Sequence, residues 1–225
     1  GARSDGSLAK AALASASPAE ILIQPIFNPV GGYASYIVPA AFVLILQQTL
    51  LMAVATLTVG MRSAGAFTTV VGRAAAHVTI ALPALALFLI VLPRLYGFST
   101  LGQTAALFAL AAPFVLATSF LGQAAGAWFK HRETAVLLFL ATSLPQLFVV
   151  GFSWPREAIP DVVIKAGRIF PSDFAIDGLL RVNQMGASLH EVSHDWRGLW
   201  LMVLVYFILA WLSAWQLRRR QAHAV

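Results

Sequence analysis

Cysteine is absent from the 225 residues of this chain, and charged residues make up only 11% of it. Without cysteine there is no disulfide, no thiolate metal ligand and no thiol nucleophile. Soluble domains carry charge on about a quarter of their residues, so the low charge excludes an ordinary soluble fold. The 59% of hydrophobic residues and the mean hydropathy of +0.79 indicate a membrane protein.

Acidic and basic residues are also missing from the interiors of five long apolar stretches. Each stretch is close to the ~17 to 25 residues that cross the hydrocarbon core of a bilayer. A backbone in lipid has to satisfy its own hydrogen bonds, which predicts helices. The predicted spans are residues 36–59, 75–92, 104–122, 134–151 and 199–217. The predicted fold class is an all-α membrane protein with five transmembrane helices.

The charges outside these spans sort by membrane side. If the carboxy end is cytoplasmic, the inner segments hold seven basic residues and a single acidic one, Glu133, whereas the outer segments balance eight basic residues with eight acidic ones. This bias is the positive-inside pattern, so the net charge of +6 does not indicate nucleic-acid binding. Trp128 and Trp215 fall near the predicted inner interface, as aromatic anchors do. We therefore predict a cytoplasmic carboxy end.

Motifs for ATP hydrolysis and for serine catalysis are absent as well. The sequence has no Gly-Lys dipeptide, which excludes a P-loop, and no G-x-S-x-G turn. No Asp, Glu, Lys or Arg lies within a predicted span to carry a proton relay. His77 is the one titratable exception, and its position predicts that it marks the inner interface. We therefore expect uphill transport by this chain to need energy from a partner.

One pattern with catalytic meaning is present, at His190, Glu191 and His194. Histidines at i and i+4 share a helix face, and the Glu between them is the general base of zinc proteases. A third ligand is required, for which Asp177 and Asp195 are the nearby choices. The pattern lies in a polar outer loop, which favours an ordinary helical turn. A membrane-embedded zinc metalloprotease is one alternative function, and a scaffold that transports nothing is another.

Two segments outside the spans are organised differently. Residues 1–33 indicate an outer linker and the end of a mostly missing outer domain, with a strand at 21–27, and residues 34–225 form the membrane domain. Residues 152–198 mix apolar residues with charges and prolines, and no part of this segment is long and apolar enough to span. The mixture predicts short helices that dip into the outer interface or lie on it.

Polar and small residues within the spans predict helix association. Gln47 and Gln48 lie in the middle of the first span, and Gly122 and Gly126 form a small-xxx-small pair at the end of the third. Packing within the chain is favoured over a dimer contact or a substrate surface. The loop at residues 60–74 leaves two interpretations open, a short interfacial helix that docks on a soluble partner and an ordinary basic inner loop.

Several short motifs occur in a fixed order relative to the spans: Asn28-Pro29, Tyr36-Ile-Val-Pro39, Leu46-Gln47-Gln48, Ser143-Leu-Pro145, Gly151-Phe-Ser-Trp-Pro155, Glu157-Ala-Ile-Pro160 and the stretch from Pro171 to Glu191, which includes Ala175-Ile-Asp-Gly178 and the segment from Arg181 to Leu189. In their order and spacing these motifs resemble the permease subunits of bacterial type-2 ATP-binding-cassette (ABC) exporters. The resemblance extends from about Asn28 to the carboxy end.

The resemblance implies a six-helix half-transporter of the bacterial inner membrane, with a first helix and an outer domain ahead of the part seen here. Such a subunit moves a hydrophobic or amphipathic substrate, drug-like or lipid-like, out of the cytoplasm. Its expected partners are a cytoplasmic P-loop ATPase, a second permease subunit, identical or different, and membrane lipid, but not nucleic acid. ATP and Mg bind to the ATPase, so no cofactor and no catalytic or metal-binding residue is expected in this chain.

The resemblance also assigns roles to residues. The loop at 60–74, which holds Arg62, Phe67 and Arg73, corresponds to the coupling helix that contacts the ATPase. The acidic residues often found there are missing, so the ATPase contacts are not assigned to individual residues. Residues 155–188 correspond to an outer re-entrant segment. The motif residues of this segment and its approach are Gly151, Phe152, Pro155, Glu157, Pro160, Pro171, Asp177, Gly178, Asn183, Gln184, Met185 and Gly186. The first and fourth spans, with the polar Gln47 and Gln48, are expected to form or gate the exit path together with this segment.

Overall fold

The computed structural model describes residues 34–61, 65–98, 100–150 and 159–222. Within these ranges the regular structure is helical, without strands. The helices are α1 (Ala34–Thr58), α2 (Ala66–Ala86), a π-helical segment (Leu87–Val91), α3 (Leu92–Leu95), α4 (Thr104–Gly126), α5 (Arg132–Val149), α6 (Asp161–Gly167), α7 (Ser172–Met185) and α8 (Ser193–Ala222). The predicted strand at 21–27 and the predicted outer linker lie outside the described residues.

Four helical stretches are long and apolar enough to cross a membrane. They are Ile37–Thr58, Ala66–Leu95, Thr104–Gly126 and Ser193–Arg219, and they match the predicted first, second, third and fifth spans. Residues 66–95 combine α2, the π segment and α3 into one continuous helix, which begins nine residues before the predicted second span. The all-helical membrane fold is therefore confirmed at the level of four crossing helices.

The predicted fourth span is not among these helices, so neither five spans nor a six-helix permease is confirmed. Its residues form α5, which has 18 residues and carries Arg132 and Glu133 in its first turn. At 1.5 Å per residue α5 is about 27 Å long, just short of the ~30 Å hydrocarbon core. The charged first turn shortens its apolar part further.

Helix α4 is the centre of the bundle, packing against α1, α2, α7 and α8. Leu110, Phe114 and Val115 are completely buried in this packing. Gly126 brings α4 close to α1, because a Cβ atom there would lie 2.5 Å from the carbonyl oxygen of Ala55. Gly122 also faces α1, so both glycines of the small-xxx-small pair serve packing within the chain.

The two ends of the bundle differ in chemistry. One end, called the hairpin end after the helical hairpin that α6 and α7 form, carries the carboxy end of α7 and the start of α8, together with Tyr96 and Trp196. The opposite, basic end carries the start of α2 and the end of α8, together with Lys130, Arg218 and Arg219. Arg219 lies over the Trp215 ring, 3.6 Å from its centroid, which is a cation–π contact.

His77, which the sequence predicts at the inner interface, lies within the crossing stretch Ala66–Leu95. It is buried between α2 and α4, and its Nδ1 atom lies 2.8 Å from the Ser119 hydroxyl oxygen. Gln123 donates to the same oxygen at 3.3 Å. A polar side chain at membrane depth is stabilised by such partners inside the bundle, and Ser119 and Gln123 supply them.

Candidate functional site

Helices α6 and α7 form a helical hairpin whose tip is residues 168–171. The tip closes through backbone hydrogen bonds, from the Phe170 N–H to the Gly167 carbonyl at 2.9 Å and from the Asp173 N–H to the Phe170 carbonyl at 3.2 Å. Pro171 precedes α7 with a φ of −56°, which suits a helix start. The structure thus contains the pair of short helices that the sequence predicts between the last two spans.

Helix α7 is buried inside the bundle. Nine of its 14 residues are buried, and it packs against α1, α4 and α8. Gly178 permits this packing, because a Cβ atom there would lie 3.3 Å from side-chain atoms of both Leu110 and Asp195. On α8, Gly198 leaves room for the Phe174 ring, which a Cβ atom would approach to 2.8 Å.

The tip lies deep within the bundle rather than at its end. Ser172 at the start of α7 bonds to Gln47, which is thirteen residues, or about 20 Å, from the first residue of α1. The tip residue Ile169 bonds to Tyr206, which lies about the same distance from the start of α8. Helix α7 is itself about 21 Å long, so it runs from this depth back to the hairpin end.

Side chains of the surrounding helices satisfy the backbone of the tip. The Ser172 N–H donates to Gln47 Oε1 at 2.6 Å, Gln47 Nε2 donates to Gln146 Oε1 of α5 at 2.8 Å, and the Tyr206 hydroxyl donates to the Ile169 carbonyl. Non-helical backbone at membrane depth persists only where protein or water supplies hydrogen bonds. Gln47 is therefore the junction that joins α1, α5 and α7.

The junction is not fully satisfied. Gln146 Nε2, Ser172 Oγ and both amide atoms of Gln48 are buried without a hydrogen-bond partner among the described residues. A buried polar atom without a partner costs about 1–3 kcal/mol. The position of the tip is thus held by a few specific hydrogen bonds. The neighbouring polar atoms oppose it, because they would gain partners if the junction rearranged or water entered.

Asn183 fixes the other end of α7. Its Nδ2 atom donates to the Leu89 carbonyl at 3.2 Å, and Leu89 lies in the π segment, whose wider turn shifts the backbone bonds of that helix. The Asn183 carbonyl accepts from the Leu101 N–H at 2.8 Å and the Gly102 N–H at 3.1 Å. Gly186 then ends α7 in the left-handed conformation, with a φ of +70°.

An ionic cluster ties α7 to the start of α8. Arg181 lies 3.7 Å from Asp177 and 4.0 Å from the buried carboxylate of Asp195. Arg181 also donates to the Glu191 carbonyl at 3.4 Å. Asp177, part of the predicted motif, is therefore an ion-pair partner at the surface of this cluster.

Glu191 has a structural partner of its own. Its Oε2 atom accepts hydrogen bonds from the hydroxyl and the N–H of Ser188, both at 2.7 Å, and the Glu191 N–H donates to the Ser188 carbonyl at 3.1 Å, so these bonds close the turn. The hydroxyl bond, followed by the backbone bond, holds the pKa of the Glu191 carboxyl below its ordinary value. Among the described residues no group of three or more His, Cys, Asp or Glu side chains could hold a metal ion. The structure therefore does not favour the zinc protease alternative.

The described part of the predicted coupling loop is largely helical. Residues 66–74 form the first turns of α2, whereas Arg62 lies outside the described residues. Phe67 is 58% exposed and contacts the Phe207 ring edge-on, with 6.0 Å between centroids. Arg73 donates to the Leu57 carbonyl at 2.8 Å, a favourable position for a cation at the carboxy end of α1.

The remaining residues predicted for the outer re-entrant motif lie beside α6, in α7 or outside the described residues. Gly151, Phe152, Pro155 and Glu157 lie outside the described residues. Pro160 precedes α6, and Gln184 and Met185 lie in the last turn of α7, where Met185 is exposed. The sequence analysis missed Gln146 and Tyr206, although an amide and a phenol inside apolar spans are the signal that could have identified them.

These features define a multi-pass helical membrane protein with a hydrogen-bonded hairpin inserted between its crossing helices. Comparison with protein families then identifies it more closely: the sequence model of the ABC-2 family transporter protein matches residues 3–212. The chain belongs to this family, as its motifs predicted. No curated protein matches it by sequence.

Family membership establishes several properties of this chain. Members are transporter membrane subunits that lack the ATPase site, so the chain is a permease subunit of a transporter. Membership also implies an ABC ATPase partner and, often, a dimer. The predictions of a membrane permease and of the ABC class are confirmed.

Proposed function

We propose that the chain is the permease subunit of an ATP-driven exporter in the bacterial inner membrane, with its carboxy end in the cytoplasm. In this proposal the hairpin tip is the gate of the exit path. The observation that carries it is the bond of Ser172 to Gln47, because it places a breakable, side-chain-held turn at the middle of the bundle. A small movement of α1 would remove the acceptor from the tip.

The route from the ATPase to the gate runs through α1. The loop between α1 and α2 would contact the ATPase, and Arg73 ties the two ends of that loop together by its bond to Leu57. Gln47 lies on the same helix, about three turns from Leu57. Displacement of the loop is thereby transmitted along α1 to the junction with Ser172 and Gln146.

Helix α5 and the hairpin would complete the fifth crossing together. Gln146, near the end of α5, bonds to Gln47, so α5 extends from the basic end to about the depth of the tip. The hairpin occupies the remaining depth toward the other end. A second permease subunit would cover the exposed face of α5 and enclose the path, and the exported substrate would be hydrophobic or amphipathic.

The first test asks whether an ATPase is present and whether the carboxy end is cytoplasmic. A tagged chain should co-purify with a P-loop ATPase, and an Arg218→Cys variant should react with a membrane-impermeant maleimide only after the cells are opened. Because these 225 residues contain no cysteine, they add no background to the label. Labelling of Arg218→Cys in intact cells would contradict the orientation.

The second test addresses the gate. A Ser172→Cys variant in the assembled transporter should react slowly with a soluble maleimide in the resting state, because Ser172 is completely buried, and faster during ATP turnover. A Leu101→Cys variant is the matched control, because Leu101 lies in an exposed loop at the hairpin end and should react equally fast in both states. A rate at position 172 that does not change with ATP would rule out the gate.

A further inference from the structure

A groove lies between α1 and α5, beside the junction that holds the hairpin tip. Gln48 follows Gln47 on α1 and Leu147 follows Gln146 on α5, so both walls of the groove adjoin the bond between those two glutamines. Its volume is about 290 Å³, near the lower end of small-molecule sites at ~300–1,000 Å³. The side chains that line it include, from α1, Leu44, Ile45 and Gln48 and, from α5, Ser143, Leu144 and Leu147.

The groove opens toward the outside of the bundle. Two of its wall residues, Ile45 and Leu144, are 48% and 66% exposed. Gln48 lies fourteen residues, or about 21 Å, from the first residue of α1, which is well inside a ~30 Å hydrocarbon core. A molecule dissolved in the membrane can therefore reach the groove directly, at a depth where lipid tails supply no hydrogen bonds.

Gln48 is the residue of this groove whose hydrogen-bonding groups are unused. It is 6% exposed, and neither its Oε1 nor its Nε2 atom has a hydrogen-bond partner in the part of the chain that the structure describes. Ser143, the other polar residue of the walls, donates its hydroxyl proton to the Leu140 carbonyl at 2.6 Å. Gln48 thus brings a free acceptor and a free donor to the groove, and none of the described lining residues carries a charge.

The unbonded amide of Gln48 is a cost to the folded protein. A buried polar atom without a partner lowers stability, and proteins keep such features mainly at sites that serve a function. Gln47 shows the contrasting case, because both ends of its amide are bonded, to Gln146 and to Ser172. Since the described residues leave the Gln48 amide without a partner, a ligand in the groove is the partner that suits it.

We infer that Gln48 recognises the polar group of the exported substrate, and that this group is uncharged and both donates and accepts hydrogen bonds, as an amide or a hydroxyl does. The inference rests on the proposed function, because it takes the groove as part of the exit path. Rotation about χ1 or χ2 of Gln48, each of which has staggered alternatives, turns the amide toward a ligand in the groove. The apolar part of the substrate packs against Leu44, Leu144 and Leu147. A charged head group is disfavoured, because it finds no counter-ion among the described lining residues.

The experiment compares tritiated probes that share an apolar tail and differ in the polar group. Dodecanamide donates and accepts hydrogen bonds, methyl dodecanoate only accepts them, and dodecyltrimethylammonium carries a charge. Saturable binding of each probe to the assembled transporter in lipid nanodiscs is measured against empty nanodiscs. We expect dodecanamide to bind about tenfold more tightly than either of the other two probes, a difference of about 1.4 kcal/mol.

Matched variants assign this preference to Gln48. Gln48→Met keeps the length of the side chain but removes the amide, and it should reduce the preference for dodecanamide over methyl dodecanoate to less than about twofold. Thr49→Val is the control, because Thr49 is an exposed neighbour that bonds within α1 and does not line the groove, and it should leave the preference unchanged. Gln48→Met should also raise the melting temperature of the protein without ligand, because it removes a buried amide that has no partner.

Several results would overturn the inference. Equal binding of dodecanamide and methyl dodecanoate, tighter binding of the charged probe, no saturable binding of any probe, or a preference that survives Gln48→Met would each do so. A lower melting temperature of Gln48→Met would do so as well, because it would mean that the amide already has a partner in the protein. The ATPase co-purification and the labelling of Ser172→Cys require no ligand. Their success alongside a failed probe series would retain the gated exporter and reject Gln48 as the residue that recognises the substrate.

Discussion

Helices α5 and α7 both bond to Gln47 near the hairpin tip, yet their burial follows opposite rules. Helix α5 is largely apolar but buries only Ala135, Phe139 and Gln146, and its leucines are mostly exposed. Helix α7 carries Asp, Arg, Asn and Gln residues and buries most of its length. In a soluble protein the apolar helix would be expected to be buried and the polar helix to be exposed. In lipid an apolar face needs no protein cover, whereas polar groups need partners inside the bundle.

This difference separates two functional parts. Helix α7 is held at both ends, by Gln47 near its start and by Asn183 near its carboxy end, so its position depends on a few hydrogen bonds. Helix α5 packs on one side only, mainly against α1, and its outer face is free to meet lipid or a second subunit. Helix α7 therefore suits a gate, and helix α5 suits a surface for assembly.

The largest expected effect tests the contrast in burial. Leu179→Ala in α7 should lower the free energy of unfolding by about 2–5 kcal/mol, the usual cost of a cavity in a core, because Leu179 is 1% exposed. Leu140→Ala in α5, where the leucine is 55% exposed, should change it by less than about 0.5 kcal/mol. Denaturant unfolding in detergent compares the two variants. A Leu140→Ala loss as large as that of Leu179→Ala would show that α5 is covered by another subunit.

The next effect breaks the junction between the two helices. Gln47→Leu should destabilise the protein by about 1–3 kcal/mol, because it leaves the buried Ser172 N–H without an acceptor. It should also speed maleimide labelling of Ser172→Cys in the resting state, because Ser172 is buried while its N–H bonds to Gln47. Thr49→Val is the control, since Thr49 is an exposed α1 residue that bonds within its own helix. Unchanged labelling in Gln47→Leu would mean that Gln47 does not hold the tip.

A smaller effect tests the support from α8. Tyr206→Phe removes the hydroxyl that donates to Ile169 and should lower the free energy of unfolding by about 0.5–1.5 kcal/mol, with a modest rise in the labelling rate of Ser172→Cys. Tyr96→Phe changes an exposed tyrosine and should have no measurable effect on either quantity. Equal changes in melting temperature for the two variants would show that the Tyr206 hydroxyl does not hold the tip.

The smallest expected effect concerns the turn after α7 and depends on pH. Because the pKa of Glu191 is lowered from its ordinary value of 4.5, its carboxylate stabilises the folded state above that pH. This contribution disappears as the pH falls through the lower, folded-state pKa. The melting temperatures of the wild type and of Glu191→Gln should therefore approach each other as the pH drops below about 4.5. A difference that grows on acidification would contradict this role.

The helices were predictable to different degrees. The four crossing helices follow from charge-free apolar runs, and the two short helices follow from a segment too polar and too interrupted by proline to span. The fourth span stays a prediction, because a run such as residues 134–151 shows hydrophobicity but not how deep the helix reaches. The contact of the buried His77 with Ser119 could not be predicted, since Ser119 lies on another helix.

By itself the sequence determined the membrane class, the family, the four crossing helices and the presence of a hairpin, because length, hydropathy and charge act locally along the chain. Only the tertiary structure decided that Gln47 holds the tip, that α7 is buried while α5 is exposed, and that Glu191 accepts hydrogen bonds from Ser188. The bond from Ser172 to Gln47 joins residues 125 positions apart. Such a contact exists only once the helices have packed.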